Sequence, residues 1–176
     1  MKSDNNQEKR RRFIEEALPH HAPLFRAALS FCRDRTVAED LVQETYKEAW
    51  NSFHCYTPGS DCKAWLFRIL FRVWGRHRGR SSRMAEVELV EIPSNELSVE
   101  PDFPRRLEYE EVLKIVRSLP DIYQTVLILT DVEEFSYREV AEILELPIGT
   151  VMSRLNRARH LFREKFLREF KDVQSA

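Results

Sequence analysis

Glycine is scarce in this chain, with four residues in 176. That excludes Gly-rich phosphate loops and argues against turn-dense β-sandwiches. Long hydrophobic runs are missing as well. No stretch approaches the roughly 18 uninterrupted apolar residues of a membrane span, so no membrane insertion is expected. The start, MKSDNNQEKRRRF, carries positive charge but not the following apolar stretch of about 7–15 residues that makes a signal peptide. Cysteine is limited to Cys32, Cys55 and Cys62. An odd number without short paired spacing fits reduced thiols and a cytoplasmic location. There is no HExxH, nucleophile elbow, P-loop or paired-carboxylate site, so neither enzyme activity nor a metal or cofactor is expected. Net charge is nearly absent too: 28 Lys and Arg face 29 Asp and Glu, for a total of -1.

What is present is a foldable composition, 43% apolar and 32% charged. The length suits one ordinary domain or two small ones. The small net charge hides a strong pattern. Residues 1–61 carry a net -1, residues 62–80 a net +6, residues 81–104 a net -5, residues 105–150 a net -5 and residues 151–176 a net +4. Two basic blocks separated by acidic ones suggest two local footprints on a polyanion.

Apolar periodicity is helical nearly throughout, and no convincing alternating strand occurs. Pro93, Pro101 and Pro104 fall in the acidic stretch, which has linker composition. The expected fold is therefore all-α: two small helical bundles, 8–80 and 105–171, joined by an acidic Pro-containing linker over 81–104. The C-terminal bundle reads as a helix-turn-helix. Pro19 and Pro23 break the first helical stretch. Thr36-Val-Ala-Glu39 has capping-box spacing and opens a helix to about Phe53. The next runs from near Ser60 to Gly79. Further helices are expected at about 105–118, 121–131, 136–144 and 149–170, with Ser136-Tyr-Arg-Glu139 as a second capping box.

Three helices carry the chemistry. On Thr36–Phe53, Val42, Tyr46, Ala49, Trp50 and Phe53 share one face, and Asp40, Gln43, Glu44, Lys47 and Asn51 form a polar stripe opposite. On Lys63–Arg80, Trp65, Leu66, Phe67, Ile69, Leu70, Phe71, Val73 and Trp74 sweep more than half the circumference. Arg68, Arg72 and Arg76 fill the remainder at i, i+4, i+8. That arc is wider than one side of a small bundle can cover. Two readings stand: aromatics and cations placed to stack unpaired bases and neutralise phosphates, or a buried helix whose arginines pair with acidic neighbours. On Gly149–Lys171, Val151, Leu155, Ala158 and Phe162 face the core. Met152, Ser153, Asn156, Arg157 and His160 face outward, with Arg154 and Arg159 on the flanks. The preceding helix, FSYREVAEIL, can pack through Val140, Ala141 and Leu144. A short turn and a basic second helix complete a helix-turn-helix whose N-terminal turns suit a major groove.

AEDLVQETYKEAW (Ala38–Trp50), AWLFRIL (Ala64–Leu70), SLP (Ser118–Pro120) and SYREVAEILELPIGTVMSRLNRAR (Ser136–Arg159) occur in this order. Together they resemble a bacterial sigma factor of the two-domain, extracytoplasmic-function type, over about residues 10–168. The resemblance implies a protein that gives RNA polymerase core its promoter choice. Its partners would be the beta-prime and beta subunits, promoter DNA and an anti-sigma factor. It implies polymerase docking through Asp40, Gln43, Glu44 and Lys47. It implies −10 melting and capture through Phe53, Trp65, Arg68, Arg72, Arg76 and Arg80. Reading of the −35 duplex would fall to Thr150, Met152, Ser153, Arg154, Asn156, Arg157 and Arg159. The acidic linker is similar to the segment that threads toward the polymerase active site.

The chain departs from that pattern in places. Phe71 and Arg72 stand where the family usually has arginine and asparagine, and Arg76 replaces an aspartate. Gln124 stands where arginine is common, and Met152 and Asn156 fill reader positions often basic and aromatic. Two other readings compete. An autonomous LuxR-like helix-turn-helix regulator explains Ser136–Arg159 but leaves the first two motifs without a role. A thiol or metal sensor on Cys32, Cys55, Cys62 and His54 would have C-x22-C-x6-C spacing, which resembles no zinc signature.

Overall fold

The computed structural model describes residues 2–81 and 109–171, with side chains over 6–78 and 112–169, and its described elements are all helical. The expected linker lies outside the described residues except for Ser81. In order, the elements are α1 (Lys2–Ala17), a 3-10 turn (Leu18–His20), α2 (His21–Cys32), α3 (Arg35–Ser52), a second 3-10 turn (Phe53–Cys55) and α4 (Cys62–Ser81). After the gap come α5 (Tyr109–Arg117), α6 (Asp121–Leu127) running into a π turn (Ile128–Val132), α7 (Tyr137–Leu144) and α8 (Ile148–Lys171).

Pro19 sits in the first 3-10 turn and separates α1 from α2, as expected. Pro23 lies inside the first turn of α2, where a missing N–H forfeits no intrahelical bond. The start of α3 corrects the sequence reading. Its N-cap is Asp34, whose Oδ1 accepts from the Val37 N–H at 2.9 Å, and Thr36 is already helical. Arg33, in the left-handed region at φ 58°, closes α2 directly before it. A connection of two residues leaves Asp34 as the only residue with the extended backbone a cap needs. Glu39 turns sideways to Arg35 at 2.9 Å.

The helix from Cys62 is opened by Asp61, whose Oδ1 accepts from the Ala64 N–H at 3.0 Å. At α7 the capping box forms as read: the Glu139 N–H donates to Ser136 Oγ, and the Ser136 N–H donates to Glu139 Oε2 at 2.7 Å. The π turn is unexpected. The Glu133 N–H reaches back to the Ile128 carbonyl and that of Phe135 to Leu129. One extra residue per turn rotates the following side chains relative to an α-helix. It carries Glu133 and Phe135 inward, and both are buried.

Buried residues of both halves form one continuous cluster, with α4 at its middle. Helices α1, α2 and α3 cover one side of α4, and α7 with the segment before it covers another. Phe67 is fully buried, with its ring centroid 5.0 Å from that of Phe135 in a T-shaped contact. The Gln124 amide, itself buried, donates to the Ser30 carbonyl at 2.7 Å. The two halves are thus packed on each other, and the wide apolar arc of α4 is filled by protein.

The corrected cap makes a prediction of opposite signs. Asp34→Ala loses the cap and is expected to lower stability by about 1 kcal/mol. Thr36→Ala exchanges a β-branched helical residue for a better helix former and is expected to be neutral or stabilising by up to about 0.5 kcal/mol. Urea unfolding of both variants decides; a larger loss at Thr36 would make Thr36 the cap.

Candidate polymerase and nucleic-acid interfaces

The outer stripe of α3 emerges as its periodicity demands. Ala38, Leu41, Val42, Thr45 and Ala49 turn inward, while Asp40, Gln43, Glu44, Lys47 and Asn51 are exposed. With the half-buried Glu48 they line a shallow polar groove. Arg76 of α4 reaches this stripe. It pairs with Glu48 and stands 3.6 Å from Glu44. Glu44 and Glu48 are thus the groove residues that meet α4's charge.

Helix α4 presents a different picture from the one its composition first suggests. Phe53 is 5% exposed, edge-on to Phe13 at 5.2 Å and stacked on Tyr56 at 5.4 Å. It packs against Trp65 at 6.1 Å and offers no open face to a base. Trp65 is half-buried and also leans on Tyr56 at 5.1 Å. Arg68 lies 3.5 Å from Glu142 of α7, and Arg78 3.1 Å from Asp121 of α6. Arg72 is exposed, and its Nε lies 3.5 Å from the Arg68 carbonyl. Arg80 lies outside the described side chains. In this arrangement Arg68, Arg76 and Arg78 are paired to acidic neighbours, and Arg72 is exposed.

The outward face of α8 holds as placed. Val151, Leu155, Ala158 and Phe162 are buried. Met152, at 49% exposure, forms a continuous outward row with Ser153, Asn156, the half-buried Arg157 and the exposed His160. Ser153 Oγ donates to the Thr150 carbonyl, and Thr150 itself is half-buried. Arg154 is half-buried, and its Nε is enclosed. Arg159 turns from the row to Asp131, donating twice at 2.7 and 3.2 Å. That hydrogen-bonded pairing raises its already high pKa. The row available to a groove is therefore Met152, Ser153, Asn156 and Arg157, backed by a bound Arg159.

Residues that sequence reasoning did not select prove central to the packing: Ser30, Lys63, Arg26, Glu133 and Phe135. Gln124 departs from the arginine common in the family at this position. Its burial and its bond to α2 explain why an uncharged amide suits that position. The signal for Glu133 was an acidic pair interrupting an apolar run, VLILTDVEEF, but periodicity alone does not say which acid turns inward.

These geometries can be set beside known proteins. The model for sigma-70 region 2 matches residues 18–84, and that for sigma-70 region 4 matches residues 109–160. The ECF RNA polymerase sigma factor EcfG of Rhodopseudomonas palustris is 37% identical over 141 residues, covering 78% of this chain and 76% of that protein. Two solved structures are similar across both halves. One is the sigma factor RpoE in complex with the anti-sigma factor NepR from Bartonella quintana, 34% identical with a TM-score of 0.65, covering 86% of this chain and 94% of that one. The other is CnrH in complex with the cytosolic domain of CnrY, 27% identical with a TM-score of 0.64, covering 89% and 88%. A helical protein with a polar α3 stripe and a helix-turn-helix that matches both sigma-70 regions is a promoter-directing factor. The chain belongs to the extracytoplasmic-function RNA polymerase sigma factors, a family of transcription regulators rather than enzymes.

The thiols argue against a sensor on physical grounds. Cys62 is buried, and burial, reinforced by the Glu16 charge, pushes its pKa from 9.0 up to about 11. Burial also raises that of the half-buried Cys32, which donates to the Ala28 carbonyl at 3.0 Å. A thiol held protonated is a poor nucleophile and metal ligand. The stability linked to the Cys62 proton is fully present below pH 9 and is lost as pH rises toward 11. Titration with Ellman's reagent at pH 8 should therefore show a fast phase from the exposed Cys55 alone. Cys62 should react only on unfolding, and a fast phase that included it would contradict this.

Proposed function

We propose that the three surfaces divide the work of promoter recognition. The α3 stripe of Asp40, Gln43, Glu44 and Lys47 docks on the polymerase core through the beta-prime subunit, with further contact to beta. Helix α4 supplies the −10 surface. In this reading Trp65 and Arg72 meet an unpaired strand, Arg68, Arg76 and Arg80 neutralise its backbone, and Phe53 holds Trp65 from behind. The α8 row reads the −35 duplex: Met152, Ser153, Asn156 and Arg157 face base edges, while Thr150, Arg154 and Arg159 support phosphate contacts. The residues 8–80, 81–104 and 105–171 act as −10 domain, linker and −35 domain. The observation that carries this reading is the outward α8 row together with the solvent-facing α3 stripe. A regulator that only bound duplex DNA has no use for the second.

The factor acts with RNA polymerase in the cytoplasm. An anti-sigma factor controls it, a reading supported by the similar sigma factor RpoE, solved in complex with the anti-sigma factor NepR. The chemistry is non-covalent: hydrogen bonds to base edges give sequence choice, and Arg–phosphate contacts give register and affinity.

Two experiments separate the surfaces. Arg157→Ala is expected to weaken −35 recognition by the holoenzyme by about 1–3 kcal/mol while core binding is unchanged. Loss of core binding instead would overturn the assignment of the α8 face. Asp40→Ala with Gln43→Ala, chosen because Glu44 also serves Arg76, should reduce core association in a pull-down with labelled core enzyme. Its circular dichroism should match the parent. Undiminished association would remove α3 from the docking surface.

A further inference from the structure

Asp131 and Arg159 stand 28 residues apart and meet beside the helix-turn-helix. Two hydrogen bonds join them: Arg159 Nη2 donates to Oδ1 at 2.7 Å, and its Nε donates to Oδ2 at 3.2 Å. Such a fork fixes the plane and direction of a guanidinium, which a single bond does not. Asp131 lies in the π turn Ile128–Val132, and turns of that kind recur at functional sites. A guanidinium carries five N–H donors. Asp131 engages one on Nε and one on Nη2, so both donors of Nη1 lie outside the fork. The pair is open to solvent, with Arg159 46% and Asp131 37% exposed. Exposed pairs add little to stability, so the use of this one is sought in what the arginine is held to meet.

Position along α8 says what that is. Arg159 follows Met152 by seven residues, close to two turns, so the two share an angular position to within about 20°. It belongs to the side of the helix that carries Met152, Ser153, Asn156 and Arg157. It also lies about 16 Å along the axis from Ile148, whereas a major groove is about 12 Å wide. A helix that enters a groove by its first turns brings Met152 to Arg157 to base edges. A residue as far along as Arg159 meets the sugar-phosphate rim instead. We propose that Asp131 is a positioning residue for −35 binding: it holds the Arg159 guanidinium so that the Nη1 edge meets a backbone phosphate at the rim of the groove. The inference rests on the reading of α8 as the −35 helix. A long arginine side chain loses rotational freedom when it grips a phosphate, and that loss weakens binding. Here the fork has removed much of that freedom on folding, so less remains to be lost on DNA. The Asp131 charge opposes the phosphate but is offset by the arginine it holds. What the pair supplies is the geometry of the contact.

Holoenzyme assembled from core polymerase and the full chain, on a fluorescein-labelled duplex cut from a promoter it transcribes, provides the test. Arg159→Ala is expected to weaken binding several-fold and to lower the slope of log affinity against log salt by about 1. Asp131→Ala should weaken binding to a similar extent, and adding it to Arg159→Ala should cause no further loss. Asp131→Asn keeps one acceptor oxygen and removes the charge, so its affinity should fall between those of the wild type and Asp131→Ala. The Asp131→Ala loss should be the same on a duplex with one −35 base pair replaced, because a phosphate contact carries no sequence information. Core association and helical circular dichroism should match the wild type throughout. Wild-type or tighter binding by Asp131→Ala beside a weakened Arg159→Ala overturns the positioning role, and so does a further loss in the double variant. Equal affinities of the Asn and Ala variants reduce Asp131 to its charge and overturn it as well. Loss of core association with Asp131→Ala assigns the residue to the fold instead. An Arg159→Ala holoenzyme that binds like the wild type overturns the phosphate role of Arg159 on which the proposal stands.

Discussion

Helix α4 is apolar around more of its circumference than one bundle can cover, and the architecture follows from covering it. Ala64, Leu66, Phe67, Ile69, Leu70 and Val73 are each 5% exposed or less. Burying a large aliphatic or aromatic side chain is worth about 1.5–3 kcal/mol, so leaving one flank open to water would forfeit a large share of a small domain's stability. Helices α1 to α3 take up one flank, and α7 with the Glu133–Phe135 segment takes up another. Domain packing in the free protein is a consequence of one helix's sequence.

The near-neutral total charge has a structural counterpart in the same contact. The most basic segment of the chain lies against the most acidic described one. Lys63 and Arg26 meet Glu133, Arg68 meets Glu142 and Arg78 meets Asp121. The exposed pairs among them, Arg68–Glu142 and Arg78–Asp121, are typically worth about 0–1 kcal/mol each. They are strong enough to bias two domains together and weak enough for a polyanion to replace.

Much of the candidate site was legible because it depends on periodicity. The exposed stripe of α3, the outward row of α8 and the Ser136 capping box all follow from spacing along a single helix. The residues that bind the halves together were not. Thr36 has capping-box spacing, but Asp34 sits where the backbone is extended and wins the cap. The π turn leaves no composition signal, and without it Glu133 counts as one more surface acid. Scarce glycine should have marked where left-handed turns could form. Gly59 does so at φ 81°, but the chain also places Arg33, Glu134 and Glu145 there, which a local pattern does not reveal. Whether aromatics on α4 await bases or neighbours depends on a domain distant in sequence. That was the question the helix alone left open.

The central claim is that this chain confers promoter choice on RNA polymerase core and does so only with it. The most direct test maps transcript 5′ ends made on DNA of the source organism by core enzyme with and without the protein. The account predicts discrete new start sites that require both components and share paired upstream elements at the −35 and −10 positions. The absence of new starts, together with tight sequence-specific duplex binding by the free protein, would contradict it.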